Sequence, residues 1–113
     1  ARIGGAVRLG RDSVGDDGLA GFLDLVGTSL QTQESVPAAF GLLARAAGRG
    51  WEAALAGAAA GGDTDTIAAI AGAIGGAIGG AGAFPPEAVV TVIEVNGLDL
   101  DPIVDGLLAL RAR

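Results

Sequence analysis

The sequence predicts an all-α fold, a series of short helices that form one domain, or part of one, over residues 1–113. Apolar residues recur at intervals of three and four positions in several segments, which is the spacing of one helix face. Asp, Ser or Thr precedes most of these segments and Gly follows them, as expected at helix ends. A chain of 113 residues that is 50% hydrophobic can form a single core.

The charge balance and the missing residue types restrict the possible functions. Thirteen Asp and Glu against seven Arg give a net charge of −6, which disfavours nucleic acid or an anionic membrane surface as a general partner. Because the chain has no Cys and no His, it has no disulfides, no thiolate chemistry and no Ser-His-Asp arrangement. Any catalysis must therefore use carboxylates and a metal ion.

The first residues of the sequence give expectations about the cellular location of the protein and about whether the chain is a partial one. No basic segment followed by an apolar core is found there, so no secretory signal is expected and a cytoplasmic location follows by default. The sequence begins with Ala1 and contains no Met, which we interpret as a processed, cleaved or partial chain. The expected domain is accordingly an incomplete helical one.

The first clear helix signal begins at Asp16. Residues 1–15 carry mixed charges and several glycines, and they give no assignment beyond a helix end or a loop. Asp16 and Asp17 are expected to cap a helix whose apolar residues follow at helical spacing, and Gly27 stands where a C-cap falls. The sequence therefore predicts a short amphipathic helix between these points.

Two further helices are predicted after a polar connector. The first has Ser35 as its N-cap, carries Pro37 in its first turn and ends at the glycines of residues 48–50. The second comprises residues 51–60 and is rich in Ala. We expect its Trp51 to anchor the core, in preference to a role as a ligand-stacking ring.

The longest predicted helix follows residues 61–66 and has an isoleucine face. Its isoleucines are spaced by three and four positions: Ile67, Ile70, Ile74 and Ile78. Glycines spaced by four lie beside that face, in the series Gly72, Gly76, Gly80 and the series Gly75, Gly79. Since each interior Gly costs a helix about 1 kcal/mol relative to Ala, we expect close packing of neighbouring helices to compensate.

The uncharged run from Ile67 to Ala83 has two alternative interpretations. A transmembrane helix needs about 20 apolar residues, and small residues at this spacing are typical of helix contacts in membranes. The run, however, is mostly Ala and Gly and lacks basic flanks and an aromatic belt. A phosphate-binding loop would need a P-loop Lys or a GxGxxG spacing, and the sequence has neither. We therefore favour the packed helix, with no membrane partner.

Two helices are predicted after the break at Phe84-Pro85-Pro86. The β-branched residues in 89–95 are also compatible with a strand, but the proline start and the Asn96-Gly97 stop favour a helix of about ten residues. Asp101-Pro102 is then expected to cap a last helix that ends in Arg111-Ala112-Arg113, where positive charge suits the helix dipole.

The densest polar chemistry lies immediately before the longest helix. Asp63 and Asp65 would face the positive end of the helix dipole, but that effect, about 0.3–1 kcal/mol for each charge, does not require two carboxylates with a pair of threonines. Carboxylates and hydroxyls from one turn are hard oxygen donors that suit Mg2+, Mn2+ or Ca2+. A solvated capping turn is the alternative interpretation. An EF-hand loop is a poor fit, because Ala68 and Ile74 stand where that loop needs Gly and Glu.

Gly61 to Ala69 has the sequence GGDTDTIAA, and a Gly/Ala-rich helix and a proline turn follow it. Upstream, Glu34 to Ala39 has the sequence ESVPAA. These two ordered motifs resemble the ADP-ribosylglycohydrolase family, which includes the enzyme that reactivates dinitrogenase reductase: the first is similar to the family's C-terminal signature, and the second to the helix that precedes the signature. The resemblance extends from about Gly27 to the final helix, and it implies the C-terminal part of a compact orthogonal helical bundle.

The resemblance also implies a site with two divalent ions, Mg2+ or Mn2+, that hydrolyses the bond between ADP-ribose and an acceptor. Asp63, Asp65 and Thr66 match the family's metal ligands from this half, and the two Asp are the expected catalytic residues. Thr64 matches a position that binds no metal. The expected substrate-binding residues lie in one turn, where family members approach ADP-ribose: Gly27, Thr28, Ser29 and Leu30. The expected partner is an ADP-ribosylated substrate or ADP-ribose.

The sequence also departs from the family's pattern. The family's other ligands, a Thr-Asp-Asp cluster and an acidic residue near the N-terminus, have no counterpart, and Gly15-Asp16-Asp17 is interpreted as a helix cap. Three ligands leave each ion short of the roughly six that it needs. We therefore expect this chain to supply half of a binuclear site, to be inactive alone, and to need the N-terminal portion of the same fold. The alternative is a non-catalytic helical homologue that serves as a binding or assembly scaffold.

Overall fold

Seven α-helices and one short 3-10 helix make up residues 1–111, the part of the chain that this computed structural model describes. The α-helices are α1 (Arg2–Asp12), α2 (Gly15–Val26), α3 (Thr32–Arg45), α4 (Gly50–Ala58), α5 (Thr64–Gly79), α6 (Pro86–Asn96) and α7 (Asp101–Arg111), and the 3-10 helix is Ala81–Ala83. No strand occurs in this range, which confirms the all-α prediction. The last two residues of the predicted final helix, Ala112 and the cationic Arg113, lie outside the described residues.

Helix α1 occupies the segment that the sequence analysis left unassigned. It packs along α3, and the two backbones touch where Gly10 meets Gly41: a Cβ on Gly10 would overlap the carbonyl oxygen of Gly41. This contact buries Ala6 and Gly10. The packing therefore stabilises a helix whose own glycines weaken it.

The turn between α1 and α2 is held by Arg45, from the last turn of α3. The Arg45 guanidinium donates to the hydroxyl of Ser13 and to the carbonyl of Gly15, both at 3.0 Å. Helix α2 begins at Gly15, so the prediction that Asp16 and Asp17 cap it was wrong: Val14 is the N-cap and both Asp lie in the first turn. The predicted end at Gly27 is confirmed, with a φ of 84° that favours Gly.

Helix α3 begins at Thr32, earlier than the predicted cap at Ser35, and it ends at Arg45. Ser35 lies inside the helix and its hydroxyl donates to the carbonyl of Gln31 at 3.3 Å. Pro37 cannot donate to the carbonyl of Gln33, and that carbonyl instead accepts a hydrogen bond from Arg2 at 3.2 Å. The predicted start was wrong because this contact, from a distant part of the chain, offsets the cost of Pro37 beyond the first turn.

Close approach between α4 and α5 explains part of the glycine series in α5. A Cβ on Gly75 would overlap the Cα of Gly50, and a Cβ on Gly57 would lie 2.8 Å from the Cα of Ala68. The prediction of close helix packing is therefore confirmed at Gly75. Gly72 is different, since a Cβ there would meet only the Ala54 Cβ at an ordinary 3.5 Å.

The core lies between α1, α2, α3, α4 and α5; Phe22 of α2 belongs to it, and Leu42 and Ile67 are its largest fully buried side chains. Ile70 and Ile74 pack against this core, but Ile78 is 65% exposed, so the isoleucine face is buried over only part of its length. Trp51 is only partly buried and lies outside the buried cluster. The expectation that it anchors the core was wrong, because it faces a groove beside α6.

Helices α6 and α7 begin and end close to their predicted bounds. Gly97 ends α6 in the left-handed conformation, with φ 59°, and Asp101 lies in the first turn of α7. Neither helix contributes a buried residue within the described part of the chain, and neither packs closely against the first five helices. Within residues 1–111, no helix combines the length and the apolar character that crossing a membrane requires.

Candidate functional site

Asp63 occupies the N-cap position of α5 and is buried, with 8% of its surface exposed. Gly61 and Gly62 precede it with positive φ angles of 79° and 67°, which turn the chain sharply into the helix. The Asp63 carbonyl accepts a hydrogen bond from the N–H of Ile67 at 3.1 Å, and this bond belongs to the first turn of the helix. The Asp63 side chain, however, makes no capping hydrogen bond. Its carboxylate oxygens are therefore not occupied by the helix end, contrary to the capping interpretation.

The backbone of Asp63 joins two segments that are far apart in the sequence. Its N–H donates to the carbonyl of Thr28 at 2.7 Å. Gly62 lies against the same residue, because a Cβ there would be 2.7 Å from the Thr28 hydroxyl oxygen and would overlap the Thr28 carbonyl. Thus the turn at residues 61–63, which leads into α5, is fixed against the turn at residues 27–30, which follows α2.

Glu34 braces the second of these turns, and the sequence analysis gave it no role in the site. Its carboxylate accepts the backbone N–H of Ser29 at 3.1 Å, and its Cγ would lie 2.8 Å from a Cβ on Gly27. Hydrogen bonds from the hydroxyl and the N–H of Ser29, with the charge of Arg2, hold the pKa of Glu34 below its ordinary value of 4.5. The signal available in the sequence was the position of Glu34 at the start of the ESVPAA motif.

The lowered pKa of Glu34 predicts that its hydrogen bond with the Ser29 N–H weakens in acid. A carboxylate whose folded-state pKa is depressed stabilises the fold above its unfolded pKa, and it loses that contribution as the pH falls through the folded value. The chemical shift of the Ser29 amide proton is therefore expected to titrate with a midpoint below 4.5, the ordinary value for Glu34. Glu34→Gln should remove this transition, and a midpoint at or above 4.5 in the unmodified chain would contradict the assignment.

The remaining predicted ligands lie in the first turn of α5 and are accessible. Asp65 and Thr66 are exposed, whereas Thr64 is half-buried. Within residues 1–111, no three side chains of Asp, Glu, His or Cys come together closely enough to hold a metal ion. The donors are therefore right in kind for Mg2+ or Mn2+, since carboxylate and hydroxyl oxygens suit hard cations, but too few to complete a coordination shell.

The predicted substrate turn is brought to the site only in part. Gly27 lies against the side chain of Glu34, and Thr28 lies against the turn at residues 61–63. Ser29 is exposed but hydrogen-bonded through its N–H, and Leu30 is 84% exposed. The structure thus brings Thr28 next to Asp63 and places Gly27 against Glu34, whereas Leu30 is exposed to solvent.

Comparison with models of protein families gives a match. The family model for ADP-ribosylglycohydrolase matches residues 2–113, almost the whole chain. No curated protein and no solved structure matches. The chain therefore belongs to the ADP-ribosylglycohydrolase family.

Proposed function

We propose that this chain is the C-terminal portion of an ADP-ribosyl hydrolase and supplies half of a binuclear Mg2+ or Mn2+ site. Asp63, Asp65 and Thr66 would provide the metal ligands of this half, with the two Asp as the catalytic carboxylates. The turn at residues 27–30 would approach the ADP-ribose. The bond that is cleaved joins ADP-ribose to its acceptor.

One observation carries this proposal: the hydrogen bond from the Asp63 N–H to the Thr28 carbonyl at 2.7 Å. It joins the two segments that the family resemblance assigns to metal and to substrate. Asp63 is 8% exposed, lies at the N-terminal end of α5 and makes no capping hydrogen bond with its side chain. A charged oxygen donor is therefore held next to the turn expected to bind the sugar.

The residues of this chain would supply only part of the metal ligands and would help to orient the substrate. Divalent ions, when bound, would polarise the substrate and lower the pKa of a bound water. The chain itself would orient the substrate: the backbone of residues 27–30 is fixed by Glu34 and Asp63, and Asp65 and Thr66 stand exposed beside it. Since three donors cannot satisfy two ions that each need about six ligands, we propose that the N-terminal portion of the same fold contributes the others.

Calorimetry with ADP-ribose tests this proposal. In the presence of Mn2+, the chain is expected to bind ADP-ribose at least tenfold more tightly than in EDTA, and Asp65→Asn should abolish the difference. Asp99→Asn, an equivalent change in the exposed loop before α7, serves as the matched control and should leave the difference unchanged. Hydrolysis is expected only after a polypeptide with the missing ligands is added. Equal binding with and without Mn2+ would contradict the proposal.

A non-catalytic scaffold is the second candidate. The observation in its favour is that the described residues bring together no group of three acidic, His or Cys side chains. In that case the same glycine-packed helices would serve for binding or assembly, and ADP-ribose should give no heat with or without Mn2+. The calorimetric result therefore separates the two candidates.

A further inference from the structure

Glu34 lies in the first turn of α3, where an acidic side chain commonly does no more than interact with the helix dipole. Its carboxylate, however, reaches back to the turn before the helix and accepts the N–H of Ser29, five residues earlier, at 3.1 Å. The carboxylate also lies against Gly27, because a Cβ on Gly27 would be 2.5 Å from the Glu34 Oε2. Glu34 therefore contacts two of the four residues in the turn at 27–30.

Thr28, the residue between these two, meets the start of α5. The Thr28 carbonyl accepts the N–H of Asp63 at 2.7 Å, which is at the short end of the range for N–H···O hydrogen bonds. Gly62 packs directly on the same residue, since a Cβ on Gly62 would be 2.7 Å from the Thr28 hydroxyl oxygen. The turn that Glu34 contacts is thus the turn that holds the entrance of α5.

The two hydrogen bonds belong to one peptide group. The Thr28 carbonyl and the Ser29 N–H are the two polar groups of the Thr28–Ser29 peptide, which is planar and trans, so that they point in opposite directions. Glu34 holds the N–H and Asp63 holds the carbonyl. This peptide cannot rotate without breaking both bonds, and a carboxylate on its N–H polarises it and makes its carbonyl a stronger acceptor.

Arg2, at the start of α1, supports the same end of α3. Its guanidinium donates to the carbonyl of Gln33, the residue before Glu34, at 3.2 Å. The hydrogen bonds from Ser29 lower the pKa of Glu34 most, and the charge of Arg2 lowers it further. Arg2 therefore favours the ionised form of Glu34, which is the form that accepts the Ser29 N–H most strongly.

We propose that Glu34 is a positioning residue of the candidate site, which holds the Thr28–Ser29 peptide in one orientation and so fixes the substrate turn against the start of α5. The inference rests on the proposed function, because it requires that ADP-ribose contacts this turn and the metal-binding end of α5 together. The carboxylate of Glu34 is hydrogen-bonded to Ser29 and not to the proposed metal ligands. Its loss should therefore weaken binding of ADP-ribose and leave metal binding almost unchanged.

Two changes at Glu34 separate this role from a simple effect on the helix dipole. Glu34→Asp keeps the negative charge in the first turn of α3 but shortens the side chain by one methylene, which withdraws the carboxylate from Ser29. Glu34→Gln keeps the length and leaves only a weaker, neutral acceptor. If Glu34 acted only through the dipole, Glu34→Asp would behave like the unmodified chain. Glu87→Gln, at the first-turn Glu of α6, is the matched control.

Hydrogen exchange measured by NMR, without metal or ligand, tests the structural step. Both Glu34 variants are expected to speed exchange of the Asp63 amide at least fivefold, because the Thr28 carbonyl is no longer held in place. The Ile67 amide, whose hydrogen bond to the Asp63 carbonyl lies within α5, should exchange at its original rate. Unchanged exchange at Asp63 in both variants would overturn the proposal. Equal acceleration at Ile67 would also overturn it, because Glu34 would then only stabilise the fold.

Calorimetry tests the consequence for the ligand. In saturating Mn2+, both Glu34 variants are expected to bind ADP-ribose at least fivefold more weakly than the unmodified chain, while their affinity for Mn2+ stays within twofold. Glu87→Gln should change neither affinity. Equal losses of ADP-ribose and Mn2+ affinity, or unweakened ADP-ribose binding by Glu34→Asp, would overturn the proposal. If the unmodified chain itself failed to bind ADP-ribose, the proposed function would be wrong, and the exchange rate at Asp63 would still decide whether Glu34 holds the turn.

Discussion

Replacing Gly75 with alanine is expected to lower the free energy of unfolding by about 2–3 kcal/mol, because overpacking a tight contact costs this much. The new Cβ would overlap the Cα of Gly50, which is a backbone atom and cannot rotate away. Helices α4 and α5 would have to separate along a contact that also buries Ala53 and Ala71. Since small domains are stable by only about 5–15 kcal/mol, the loss should be visible in chemical denaturation followed by Trp51 fluorescence.

Gly72→Ala is the matched control on the same helix. A Cβ there would meet Ala54 at 3.5 Å, which is an ordinary contact, and alanine favours a helix over glycine by about 1 kcal/mol. This variant should therefore be equally stable or more stable than the unmodified chain. If Gly75→Ala also stabilised the fold, the close approach of α4 and α5 would be wrong.

Asp63→Asn is expected to lower the affinity for Mn2+ at least tenfold while the fold is retained. The substitution removes a charged oxygen donor, and Mn2+ prefers such donors. It should cost the fold little, because Asn is also a favoured N-cap residue and the Asp63 carboxylate makes no capping hydrogen bond. Electron paramagnetic resonance of free Mn2+ would measure the affinity, which for the chain alone should be on the order of 1 mM, as in weak oxygen-ligand sites.

Asp101→Asn provides the comparison for that measurement. Asp101 is an exposed Asp in the first turn of α7, so it shares the helix-terminus charge effect of Asp63 but not its burial. Its replacement should leave Mn2+ binding unchanged. Equal losses in the two variants would indicate non-specific attraction of the cation to an acidic chain.

The sequence was a good guide wherever an element begins and ends with its own local signals. Pro86 and the Asn96-Gly97 pair predicted α6 correctly, although its β-branched residues were also compatible with a strand. Helix α1 could not be predicted in this way, because the contact that stabilises it, Gly10 on Gly41, joins residues far apart in the sequence. The start of α3 was misplaced for the same reason, since Arg2 satisfies the carbonyl that Pro37 leaves free.

The residue types of the candidate site could be predicted from the sequence, but the contacts that join its segments could not. The pattern of Asp63, Asp65 and Thr66 before a long apolar helix pointed to oxygen donors, and their role as metal ligands stays a prediction. The contact of Asp63 with Thr28 and the brace from Glu34 had no periodic signature. Trp51 was misjudged because its position, half-buried beside the groove next to α6, is set by tertiary packing and not by the α4 sequence.

We propose that the first turn of α5 binds a divalent cation beside the turn at residues 27–30. Paramagnetic broadening of amide resonances by substoichiometric Mn2+ would locate this cation, since the effect falls steeply with distance from the ion. Broadening is expected first at residues 62–67 and 27–30. Broadening that begins instead at Asp16 and Asp17, at the acidic residues of α7, or evenly over the chain would contradict the claim.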